Sequence, residues 1–236
     1  MNKAILIFGA AKLQRSLIEQ AKKLGLYTVG VDPDPNAECK DILDDFEVIK
    51  GDDFEGTLRV AETYNVSGII TAATDKPLIM MARVAKRLAL PFFSVETAEW
   101  STDKLLMKQK FMEAEIPCAK GFLLNKVNEL KSIDIEYPVI VKPRDNSGSR
   151  GVIYCKNLNE IEKAVQEAFQ YTKKGNVLIE EFIEGKEYSV EGIHYHGESH
   201  IIQIFAINHA PTSRIIPRFN NHWILNINTF QLAHIS

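Results

Sequence analysis

Cysteine is scarce in this 236-residue sequence: Cys39, Cys118 and Cys155 stand far apart, with no C-x-x-C pair. That scatter excludes a disulfide scaffold and a cysteine-based zinc site, and it favours a reducing compartment. Long hydrophobic runs are missing too. The first apolar stretch, Ile5 to Ala11, is cut off by Lys12 and Arg15. It is too short for a secretory core followed by a cleavage site, and nothing later is long enough to span a bilayer. Neither charge sign dominates: 28 Lys plus Arg face 31 Asp plus Glu, a net charge of -3. This balance gives no reason to expect a nucleic-acid or anionic-membrane partner. What is present, 45% hydrophobic and 25% charged residues, is the composition of folded domains rather than disorder. The expectation is a soluble cytoplasmic protein of two modest domains, or one domain plus part of another.

The first hundred residues repeat one rhythm: short apolar run, turn, amphipathic stretch. Ala4-Ile5-Leu6-Ile7-Phe8 is continuous rather than alternating, the pattern of a strand buried on both faces. Leu13, Leu17, Ile18, Ala21 and Leu24 then fall at helical spacing, and Gly25 sits where a C-terminal cap belongs. Tyr27 to Val31 reads as a second strand ending at Asp32. Further strands are expected at Phe46–Ile49, Gly68–Thr71 and Pro91–Val95. Helices are expected over Glu55 to Tyr64 and from Pro77, suited to a first turn, to about Leu88. Such alternation predicts a parallel sheet with helices on both faces.

Around Thr97 the rhythm changes. Asp103 to Glu115 reads as a helix ended by Ile116-Pro117. Strands follow at Gly121–Leu124, Val139–Lys142, Val152–Cys155, Val177–Phe182 and Tyr188–His194. A helix over Asn159 to Tyr171 interrupts them, with Asn159 as its expected N-cap and Glu160 and Glu162 complementing its dipole. That order is an α+β module appended to the α/β domain. Acidic residues stop at Glu198; about five would be expected in residues 199–236 at the chain-wide frequency. From Asn208 on, periodicity fades as well. Two readings stay open, an irregular C-terminal segment or a tail not selected for this fold, truncated or frameshifted.

The chemistry-bearing residues are spread along the chain. Lys104, after Asp103, opens the helix that follows the first domain. Lys142 ends the strand Val139-Ile140-Val141-Lys142, and Asp145-Asn146-Ser147-Gly148-Ser149-Arg150-Gly151 follows at once. Thirty residues on comes Val177-Leu178-Ile179-Glu180-Glu181-Phe182-Ile183-Glu184-Gly185-Lys186-Glu187. A lysine at the end of a buried strand is expected to send its ammonium past the sheet end, where a polyphosphate could lie. One phosphate charge about 4 Å away is worth on the order of 4 kcal/mol at an effective dielectric near 20. The small residues of the 147–151 loop let backbone N–H groups approach a ligand closely. That loop lacks the G-x-x-x-x-G-K-[ST] pattern, so it is not a P-loop.

This order and spacing resembles the ATP-grasp family, specifically members related to carbamoyl-phosphate synthetase, biotin carboxylase and D-alanine–D-alanine ligase. The resemblance covers residues 1 to about 195. It implies a parallel-sheet α/β pre-ATP-grasp domain (1–100), an α+β linker helix and lid (101–190) and an incomplete central domain (191–236). It also implies that Lys104 and Lys142 contact ATP phosphates, and that Ser147, Gly148, Ser149, Arg150 and Gly151 form a flap over them. Glu180, Glu181 and Ile183 match positions that frame adenine. Glu187 matches the carboxylate that accepts from the ribose hydroxyls, in charge-assisted bonds of roughly 1.5–3 kcal/mol each. ATP and Mg2+ are the implied cofactors, small-molecule carboxylates and amines the implied substrates.

The family's metal ligands, a Glu and an E-x-N pair beyond the ribose glutamate, have no counterpart after Glu198. The expectation is therefore a ligase-type chain that performs the reaction poorly alone, if at all. A non-catalytic nucleotide-binding module is the alternative, and an NAD-dependent oxidoreductase a remoter one. In the first domain Gly9-Ala10-Ala11-Lys12 lies between strand and helix, a natural anion site. With one glycine there the G-x-G-x-x-G fingerprint is absent, although Asp32 would suit a ribose. By resemblance this edge and Thr74-Asp75 lie near the acceptor substrate. His194, His196 and His200 fit a solvated hairpin better than a metal site, lacking a carboxylate or cysteine to complete a ligand set.

Overall fold

The computed structural model describes residues 3–146, 148–195 and 197–207. The chain divides into two compact units between Thr102 and Asp103.

In the first unit the continuous apolar runs become β1 (Ala4–Phe8), β2 (Tyr27–Asp32), β3 (Asp45–Val48) and β4 (Val66–Thr71), all parallel in the order β3-β2-β1-β4. Such a run buries its residues on both faces, and β1 does so. Leu6 and Phe8 pack with α2 (Phe54–Thr63) and α3 (Leu78–Leu88), whereas Ile7 packs with α1 (Arg15–Lys23). Asp53 caps α2 by accepting from the Gly56 N–H at 2.8 Å, which satisfies one of the helix's orphan donors.

A fifth strand over Pro91–Val95 does not form. Residues 91–94 run without strand pairing, and Val95 instead opens α4 (Val95–Thr102). Phe92 explains the apolar signal, because it packs against the core formed by β1, β4 and α3. Hydrophobicity there reports burial, not hydrogen bonding to a neighbouring strand.

The second unit begins with α5 (Lys104–Glu113), followed by β5 (Gly121–Leu124), β6 (Val139–Pro143), β7 (Ile153–Cys155), α6 (Leu158–Phe169) and β8 (Val177–Glu181). The strands form an antiparallel sheet in the order β5-β8-β6-β7. The N-cap of α6 is Asn157, two residues before the expected Asn159; its side chain accepts from the Asn159 N–H at 3.0 Å. Ile161, Ala164, Val165 and Ala168 lie one helical face apart and bury against Val139, Val141, Val177 and Ile179. A hairpin of β9 (Glu187–Tyr195) and β10 (Glu198–Ile207) completes the described residues. It contains His194 and His200, while His196 lies outside them.

Candidate functional site

Strand alternation places the central side chains of the second unit. Val139, Val141, Val177 and Ile179 face α6, so Ile140, Lys142, Leu178 and Glu180 occupy the other face. Ile140 pairs with Glu180 and Lys142 with Leu178 in the register. Lys142 and Glu180 are therefore diagonal neighbours, within reach for long side chains. They form an ion pair through Glu180 Oε2. The Lys142 ammonium thus does not run free past the strand end; it lies over the sheet face, engaged by its diagonal partner.

Glu180 is not a solvated strand end either. It is 8% exposed, and its second oxygen is taken by Lys108, with Nζ 3.0 Å from Oε1. Burial alone would raise the Glu180 carboxyl pKa; Lys142 first and Lys108 second outweigh it and hold the group below the ordinary glutamate value. Lys108 also donates to the Ala119 carbonyl. Ala119, Ile140, Lys142, Glu180, Glu181, Phe182 and Ile183 together line one recess. Three residues expected at an adenine, Glu180, Glu181 and Ile183, thus meet the expected phosphate lysine Lys142. The Glu181 carboxylate is turned toward β5, accepting from the Lys120 N–H at 2.8 Å, which leaves Ile183 as the partly exposed apolar element of that wall. Glu187 opens β9 opposite Ile207 and is not among the residues lining the recess.

Lys104 opens α5, one helical turn before Lys108. Asp103 is the N-cap of α5, accepting from Leu105 and Leu106. Although 2% exposed, it also binds Arg144 and Lys174. Burial acts to raise its pKa, but the Arg144 and Lys174 bonds win and hold it at about 2. The Lys104 ammonium donates to the Asn146 carbonyl, the residue that opens the glycine-rich loop.

That loop is built as a closed turn. Gly148, Ser149 and Gly151 all have positive φ, and the Asn146 and Arg150 side chains tie its two ends at 3.2 and 3.3 Å. Gly151 is needed twice over, since its φ is +75° and a Cβ there would meet the Tyr171 ring at 2.7 Å. Asp145 fastens the loop's base to the turn after α6, accepting from the Lys173 and Lys174 N–H groups and the Thr172 hydroxyl. The Ser149 hydroxyl is buried with no hydrogen-bond partner among the described residues. Ser147, also expected in the flap, lies outside them.

Sequence reasoning overlooked Lys108, Arg144 and Lys174. For Lys108 the available signal was its place one helical turn after Lys104, which puts both ammonium groups on one face of α5.

In the first unit a cleft of about 370 Å³ opens at the C-terminal ends of the parallel strands, lined by Gly9, Gln14, Asp32, Thr74 and Lys76 among others. This is where open α/β sheets place ligands. Asp32 is held there by its two oxygens, which accept from the Ala10 and Asp34 N–H groups and close the turn after β1. Gln14, nearly fully buried, bridges Ala11 and Ala72. Among the described residues no group of three His, Cys, Asp or Glu side chains is placed to hold a metal, and no helix is long and apolar enough to cross a membrane.

Residues 135–219 match the model of the ATP-grasp domain. Over these residues the chain is similar to the ATP-grasp family. It is 23% identical over 201 residues to a carbamoyl-phosphate synthase of Methanobrevibacter smithii, covering 82% of this chain and 53% of that protein. It is 37% identical over 105 residues to a D-alanine–D-alanine ligase of Staphylococcus saprophyticus, covering 41% of this chain and 29% of the ligase. In fold it is similar to an N5-carboxyaminoimidazole synthetase from Staphylococcus aureus solved with ADP. That similarity has a TM-score of 0.73 at 18% identity, over 89% of this chain and 57% of that one. The chain spans about half the length of the first of these relatives. The glutamate–lysine recess and the Lys104-anchored loop both fall in its second unit.

Proposed function

We propose that residues 103–207 grip ATP for a carboxylate–amine (or carboxylate–thiol) ligase of the ATP-grasp type, in which a carboxylate is activated as an acyl phosphate. The observation that carries this reading is the recess where Lys142, Glu180, Glu181 and Ile183 meet. Adenine lies against Ile183 and the backbone of 180–183, while Lys142 leaves Glu180 to meet a phosphate oxygen. Lys104 and the 148–151 turn approach the phosphates from the loop side, where the buried Ser149 hydroxyl has a bond still to make. Glu187 takes the ribose hydroxyls. The first unit's cleft takes the acceptor acid.

Magnesium serves this kind of phosphoryl chemistry by neutralising the phosphate oxygens. Among the described residues no group of three His, Cys, Asp or Glu side chains is placed to hold it. An oxidoreductase reading is disfavoured because the G-x-G-x-x-G fingerprint is absent from the first unit.

Titration of the purified chain with ATP, GTP and NADH by calorimetry tests the reading. Saturable binding of ATP in preference to the other two is expected. Binding of NADH without ATP would overturn it.

A further inference from the structure

The two lysines on Glu180 are not equivalent. Lys142 faces the recess and is the group a phosphate would recruit. Lys108 does not line the recess. It reaches Glu180 Oε1 from α5 while donating to the Ala119 carbonyl on the recess's other wall. Its side chain is 12% exposed, against 20% for Lys142. The arrangement gives each carboxylate oxygen its own ammonium. We propose that Lys108 is a positioning residue of the nucleotide site: it keeps Glu180 paired and the Ala119 wall in place when Lys142 departs for a phosphate.

Charge conservation in a buried place requires such a partner, given ATP binding as proposed above. A carboxylate as enclosed as Glu180 that loses its sole partner either strands a buried charge or takes up a proton. With Lys142 alone, every nucleotide arriving at the recess would have to compete with Glu180 for the ammonium and leave the carboxylate uncompensated. With Lys108 in place, Lys142 is released from a group that remains neutralised. Among the described residues the charged groups that meet Glu180 are Lys142 from its own sheet and Lys108 from α5. Glu181, next in sequence, is directed to the Lys120 backbone.

The test is ATP binding by calorimetry on the full chain, run at pH 7.5 in two buffers of different ionisation enthalpy, so that proton uptake is counted beside affinity. The unsubstituted chain should bind with little proton uptake beyond that of the nucleotide itself. Lys108→Met should bind about tenfold or more weakly and should take up additional protons, approaching one per site, as Glu180 is neutralised. Lys108→Arg should restore the proton count, and Glu180→Gln in the Lys108→Met background should recover affinity by removing the charge that needed Lys108. This double variant serves equally if Lys108→Met alone folds poorly. Lys108→Met binding with unchanged affinity and unchanged proton uptake overturns this inference while leaving the ATP reading intact. Absence of ATP binding by the unsubstituted chain overturns both.

Discussion

Asp103 and Arg144, 41 positions apart, are joined by a two-point ion pair, with Nε–Oδ1 and Nη2–Oδ2 both 2.8 Å. The same carboxylate starts α5 and so fixes where Lys104 begins. One buried group thus couples the start of the lysine-bearing helix to the residue just beyond β6.

Replacing Asp103 separates its two duties. Asparagine is as good an N-cap as aspartate, so Asp103→Asn should keep α5 but lose the ion pair, whereas Asp103→Ala loses both. Urea unfolding should rank them wild type, then Asn, then Ala, with Ala less stable by about 2–4 kcal/mol. Equal stabilities for all three would remove Asp103 from its central place.

The pH dependence follows from the same carboxylate. Its folded pKa, at about 2, lies below the ordinary 3.8. The stability it contributes is present above the unfolded value and is lost as pH falls from about 4 toward 2. Acid unfolding curves of the wild type should steepen across this window, and Asp103→Asn should flatten that component.

Lys142→Ala should weaken ATP binding tenfold or more, each decade being about 1.4 kcal/mol. Glu180 keeps Lys108 in this variant, so its folding should suffer less than its binding. A calorimetric affinity equal to that of the wild type would remove Lys142 from the site.

Gly151→Ala and Gly148→Ala impose the same unfavourable φ but differ in space. A Cβ at 151 meets the Tyr171 ring, whereas at 148 nothing lies within 4 Å. The first should cost about 1–3 kcal/mol more than the second, read from paired thermal unfolding curves. Identical shifts would refute the steric account.

The thiols should react unequally. Cys39 and Cys155 are fully buried, and burial first, with Glu160 second, pushes the Cys155 pKa up to about 11. Cys118 is half-buried. Brief treatment of the native protein with a thiol reagent near pH 7.5, followed by peptide mapping, should find the label at Cys118. Rapid labelling at Cys155 would show that β7 opens readily.

The fold was legible where one physical cause dominates. Strands β1, β2 and β4 are buried on both faces, and their continuous apolar runs say so. Pro91–Val95 carries the same signal for a different reason, since Phe92 anchors a connection to the core without a neighbouring strand. At α6 two asparagines two positions apart both suit a cap, and only backbone geometry selects Asn157. At the recess, the placement of Lys142 and Glu180 on β6 and β8 was legible from the apolar runs that precede them. Their mutual pairing was not, because it depends on the β6–β8 register. Lys108 escaped because lysines on a helix ordinarily mark a solvated face, and only the packing of α5 reveals otherwise.

The fastening at Asp145 sets a limit on any movement of the loop that follows it. Its grip on the 172–174 turn is one post, and buried Val152, at the entry to β7, is the other. Residues 146–151 form the tether between them. A chain that short, at about 3.5 Å per residue, can lift its midpoint by no more than about 12 Å. With ATP bound as proposed, such a tether would let the triphosphate pass beneath without the sheet below having to part.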